Sequence, residues 1–178
     1  ANNAIGTAVR LINMGLERYM VSYAVIGALA QRLVPRLCEK CRMPYKVNLG
    51  ALQHIADQCG LPVRTFLPET PQPSEETVQY VTEETDISGG SGDITLYKAT
   101  GCESCSSTGY FGRIGLFEVL SFTDELRDAI IRNAPMTEMK AIAAKKGFRT
   151  LAEDAIEKLK AGLVTIEDIY PILLESSV

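Results

Sequence analysis

The sequence predicts a mixed, mainly α fold that carries a small four-cysteine zinc lobe. Three observations predict it. Helix-capping residues and helical apolar periodicity recur at both ends of the chain. Two Cys-x-x-Cys pairs, Cys38–Cys41 and Cys102–Cys105, stand between them. Apolar residues fill 46% of the 178 positions and charged residues 22%, which supports a buried core and excludes wholesale disorder.

The elements follow in order. Residues 2–14 read as a helix capped by Asn2 or Asn3, with Ile5, Val9 and Ile12 on one face and Gly15 ending it. Residues 19–33 read as a second helix, apolar nearly all round and therefore deeply buried, stopped by Pro35. Arg36–Cys38 lead into the first cysteine turn. Residues 49–59 read as a short helix with Leu52, Ile55 and Ala56 inward. The composition then shifts. Residues 62–93 hold four prolines, and seven acids against the single base Arg64, a net charge of −6. This acidic insert reads as a solvated excursion with a helix at 74–84 and a turn at Ser88–Gly92. Ile94–Ala99 and Arg113–Ser121 read as strands that pair with each other and hold the second cysteine turn at their join.

The last third reads as four short helices. Thr123 caps the first, which runs to about Asn133. Pro135 and Thr137 open the second, which ends at Lys145–Gly147. Thr150 and Glu153 form a capping box for the third, which ends near Lys158, Lys160 and Gly162, and Thr165 starts the fourth. Acids at the starts and lysines at the ends suit the helix dipole.

A Cys-x-x-Cys turn aims two sulfurs at one point, and two such turns supply the four thiolates of a tetrahedral zinc site. Cys38, Cys41, Cys102 and Cys105 are the candidate ligands. The 60 residues between the turns exceed the usual ribbon spacing, but a long insert costs little loop-closure entropy. A thioredoxin-like redox pair and four free thiols remain as alternatives. A redox pair follows a strand and opens a helix, whereas Cys102 follows Gly101 and precedes Ser-Ser-Thr-Gly. Four thiolates close the coordination shell, which argues against catalytic zinc. Cys59 reads as a small core residue, and His54 as a helix-surface residue with a ligand role as the alternative.

Several function classes are disfavoured. The net charge is −4 and the pI about 5.1, where a dedicated nucleic-acid binder carries a basic excess. With His54 the only histidine, neither a Ser-His-Asp triad nor a multi-histidine metal site is expected. No G-x-x-x-x-G-K-[ST] phosphate loop and no G-x-G-x-x-G fingerprint occurs, and no carboxylate pair stands out as acid and base. No run reaches the roughly 18 apolar residues of a membrane span. No signal peptide is visible either, so the expected location is cytoplasmic. The first residue is Ala1 rather than Met, so part of a longer protein is expected.

Two stretches resemble a known family. The first runs from Asn2-Asn3-Ala4 through Arg10-Leu11, Met14-Gly15-Leu16-Glu17 and Ala30-Gln31-Arg32-Leu33-Val34 to Leu37-Cys38-x-x-Cys41. The second is Gly101-Cys102-x-x-Cys105-x-x-x-Gly109-Tyr110-x-Gly112-Arg113-x-Gly115-x-x-Glu118-Val119. Together they resemble the C-terminal portion of the ATPases that drive type II secretion and type IV pilus assembly. Gly147–Leu151 and Ala161–Thr165 are similar to that family's C-terminal helical region. Pro35, where a second basic residue is common, and the long acidic insert depart from the pattern.

The resemblance implies the end of a RecA-like α/β ATPase domain, divided into core helices at 1–37, a zinc lobe at 38–112 and a strand with a helical subdomain at 113–178. It implies a homo-hexameric motor that acts on an inner-membrane platform protein. ATP and Mg2+ would bind in the full-length parent only, because the phosphate loop, acidic boxes and histidine box of the family precede the position of Asn2. The four cysteines carry over as ligands of structural Zn2+. Arg10, Gln31, Arg32 and Arg113 have two readings, subunit or nucleotide contacts on one hand and internal pairing with residues such as Glu17 or Glu118 on the other. Two rivals stand beside this reading. One is a stand-alone zinc module whose Arg36, Lys40, Arg42 and Lys46 face phosphates. The other is a disulfide oxidoreductase, which predicts turnover without metal.

Overall fold

The computed structural model describes residues 3–67 and 94–176. The helix expected at 74–84 and the turn at Ser88–Gly92 lie outside the described residues. Among the described residues the fold is mixed helix and sheet, with seven α-helices and two small antiparallel sheets.

Helix α1 spans Ala4–Asn13, and the Asn3 side chain accepts from the Gly6 N–H at 2.6 Å. Gly15 takes a positive φ just after it. A short helix α2, Arg18–Ala24, follows. Strand β1 then covers Gly27–Leu37. The single buried helix expected at 19–33 is therefore a helix followed by a strand, and it is not deeply buried: Tyr19, Met20, Tyr23 and Ile26 are all exposed. Ala, Leu, Gln and Arg are helix formers, so local propensity misleads here. Pairing overrides it. β1 lies antiparallel to β4, Tyr110–Ser121, from Gly27 opposite Ser121 to Leu37 opposite Tyr110. Pro35, which has no N–H to donate, sits where the register shifts, between Pro35 and Leu37.

Strand β2, Met43–Val47, has no counterpart in the sequence-based expectation and pairs with β3, Ile94–Lys98. The expected pairing of the two later strands is thus wrong. Each binds a partner that precedes it in the chain, one mistaken for helix and the other hidden by Pro44. Helix α3, Leu49–Gln58, matches the expectation, with Leu52 and Ala56 buried. A single helical turn at Val63–Phe66 follows.

The C-terminal helices stand as expected: α4 Asp124–Ile131, α5 Met136–Lys145, α6 Leu151–Lys160 and α7 Ile166–Ser176. Thr123 caps α4, and the Thr150–Glu153 capping box is closed in both directions at 3.2 and 2.8 Å. The Thr165 hydroxyl accepts from the Asp168 N–H at the start of α7.

The apolar side chains form two separate cores. One gathers α3, α6 and α7 over Val34, Leu96 and Leu116. The other gathers α1, α4 and α5 over Leu120 and Phe122. The β1–β4 ribbon runs beneath both.

Candidate metal centre

The site forms where β1 ends and β4 begins. Cys38 follows the last residue of β1, and its N–H donates to the Gly109 carbonyl at 2.9 Å. The chain turns at once, with Cys41 and Arg42 N–H groups returning to the Cys38 carbonyl. The second turn hangs between β3 and β4 on a short helical turn, Glu103–Cys105. Two glycines permit it. Gly101 and Gly109 both have positive φ, and a Cβ would lie 2.6 Å from the Ser107 oxygen at the first and 2.6 Å from the Ala99 Cβ at the second.

These turns bring four sulfurs together. The Sγ atoms of Cys38, Cys41, Cys102 and Cys105 lie within 4.8 Å of one another. Cys38 is 3.9 Å from Cys102, Cys41 is 3.8 Å from Cys105, and Cys102 is 3.7 Å from Cys105. Four sulfurs about 2.3 Å from one tetrahedral zinc stand about 3.8 Å apart. The cluster can therefore hold a metal ion, and its size and soft donor set are compatible with Zn2+. Cys38 and Cys105 are buried and the other two half-buried.

Backbone groups already point at the sulfurs. The N–H groups of Cys102 and Gly109 both reach Cys105 Sγ at 3.2 Å. Burial pushes the Cys105 thiol up, but these N–H groups and the sulfurs of Cys102 and Cys41 bring it down to about 6. The same burial pushes the Cys41 thiol up. A ready thiolate at one corner suits metal binding. None of the five cysteines is in a disulfide.

Comparison with known proteins decides the family. The type II/IV secretion system protein family matches residues 1–171. The type IV pilus assembly ATPase PilB of Thermus thermophilus is 36% identical over 98% of this chain. This chain belongs to the type II/IV secretion system protein family. Other relatives agree. The type II secretion system protein E of Dickeya dadantii is 32% identical, and the type II secretion system ATPase E of Vibrio cholerae 30%, each over 98% of this chain. The chain spans only 16% of the length of the Thermus relative and 28% of these two.

The other residues singled out in this secretion-system chain lie apart from the cysteines. Cys59 is fully buried in the core of α3, α6 and α7. His54 is exposed on α3 and pairs with Gln58, and Cys59 and His54 both stand outside the sulfur cluster. Arg32 pairs with Glu175 at 3.2 Å, not with Glu17 or Glu118. Gln31 points to the outer face of β1, and Arg10 and Arg113 are exposed without an ion pair among the described residues.

The four cations near the first turn all have internal partners. Arg36 pairs with Glu39, Lys40 donates to Ser104 Oγ at 3.0 Å, and Lys46 donates to Thr95 Oγ1 at 2.8 Å. Arg42 donates to the carbonyls of Ala161 and Gly162, and its guanidinium lies 4.9 Å from the Tyr97 ring centre. It thereby caps the C-terminus of α6 and ties the cysteine lobe to the helices. Sequence reasoning misses that role. No sequence signal marks it, because the arginine and the end of α6 lie 119 positions apart.

No helix among the described residues is long and apolar enough to cross a membrane.

Proposed function

We propose that this chain is the zinc-bearing C-terminal part of a hexameric ATPase that powers type II secretion or type IV pilus assembly. The family match over residues 1–171 carries the reading. Relatives named as pilus-assembly and secretion ATPases, each far longer than this chain, support the parent activity. The motor works in the cytoplasm, at the inner membrane through its platform partner. ATP and Mg2+ bind elsewhere in the parent, on a RecA-like core to which α1, β1 and β4 belong.

Cys38, Cys41, Cys102 and Cys105 would hold Zn2+. When bound it supplies a closed, four-thiolate crosslink and no open position for substrate. The chain's own residues do the rest. The Cys102 and Gly109 N–H groups stabilise the Cys105 sulfur, and Arg42 fastens the lobe to α6. The exposed face of the β1–β4 ribbon, with Leu29, Leu33, Phe117 and Val119, supports contact with more protein in the assembled motor. The internal pairing of Arg36, Lys40, Arg42 and Lys46 speaks against the phosphate-binding rival.

The test is ATP hydrolysis by the full-length parent beside the isolated chain. Hydrolysis by the parent and none by the chain is expected. An inactive parent, or turnover by the chain alone, would sink the reading.

A further inference from the structure

Along the inner face of β4 the residues run Leu116, Glu118, Leu120. Leu116 belongs to the core of α3, α6 and α7, and Leu120 to the core of α1, α4 and α5. The two cores share no residue. Glu118 lies at the seam between them and is 3% exposed.

Its carboxylate has no ion pair among the described residues. It is held instead by two helix starts. Oε1 accepts from the Ala4 N–H at 2.6 Å, and Oε2 accepts from the Leu151 N–H at 3.1 Å. Ala4 is the first residue of α1 and Leu151 the first of α6. First-turn N–H groups have no partner within their own helix, so the carboxylate is what satisfies both. Each helix start carries about half a positive charge, and two together balance one carboxylate. One helix belongs to each core. The crosslink is reinforced on the α6 side, where Asp154 accepts from the Phe117 N–H at 2.8 Å.

We propose that Glu118 is a positioning residue that couples the two halves, so that α1 and α6 move or open as one body. The geometry makes the coupling depend on a carboxylate. An amide in its place offers one oxygen and one NH2, and the NH2 would face an N–H donor at one helix start. A shorter carboxylate cannot span both. This inference goes beyond the motor reading and does not depend on ATP or zinc.

Amide hydrogen exchange on the whole chain tests it, with Ile130→Val as a mild perturbation of the core of α1, α4 and α5. In the wild-type chain Ile130→Val should lower protection of the Ile156 and Leu159 amides, in the other half, about fivefold. In Glu118→Gln the same change should leave those amides unmoved, and the Ala4 or Leu151 N–H should exchange at least tenfold faster than in wild type. Glu118→Asp serves if the amide variant fails to fold. Equal spread of the perturbation with and without the carboxylate would overturn the proposal, and so would no spread in the wild type. Zinc content measured on the same samples keeps a failure of the metal assignment separate.

Discussion

At the scale of single residues, Cys105 concentrates the chemistry of the site. Two backbone N–H groups and two neighbouring sulfurs converge on it, and it is buried. Cys105→Ser should abolish tight zinc binding and lower the melting temperature by roughly 10 °C or more, as metal-binding energy is folding energy. Metal analysis and a thermal melt check this. Gly109→Ala should fail similarly for a different reason, because its φ is +79° and its Cβ would collide with Ala99. The convergence of the four cysteines was legible because spacing alone declares a Cys-x-x-Cys turn. The strand that carries Glu118 was legible, although the sequence offered this glutamate only as a partner for an arginine. Its two donors were not, since they lie 114 and 33 residues away.

At the scale of elements, capping residues made the helices readable. Thr150→Ala should cost about 1 kcal/mol by removing the capping box of α6, measured by denaturant unfolding. Charge at helix ends also sets a pH dependence. The backbone N–H at the start of α4, then Lys146 and Thr123, hold the Glu125 carboxyl below the usual carboxylate range. A carboxyl depressed in the folded state adds stability above its unfolded pKa and loses it as pH falls through the folded value. Stability should therefore decline below about pH 4, and Glu125→Gln should flatten that slope, read from melts across about pH 3–6. β1 was illegible for a physical reason. Its residues favour helix locally, and only β4, more than 70 positions on, makes it a strand. Once β1 is misread, the partner of β4 is misassigned as well.

At the scale of the molecule, the described residues form two cores over one ribbon, with a four-sulfur clasp at the end of that ribbon. The clasp joins segments 60 residues apart across the acidic insert, and Arg42 binds it to α6. The class of fold and the family were readable because motifs and caps are local. The division into two cores was not, because it rests on which helices face each other. Leu29, Leu33, Phe117 and Val119 remain exposed on the outer face of the ribbon. The isolated chain should therefore bind an apolar dye, and Phe117→Ser with Val119→Ser should reduce that binding without lowering helix content by circular dichroism. Metal content with a paired melt tests the central claim most directly. One zinc per chain, with the melting temperature falling sharply on chelation, is the predicted result. A folded chain that holds no metal and melts unchanged in chelator would contradict it.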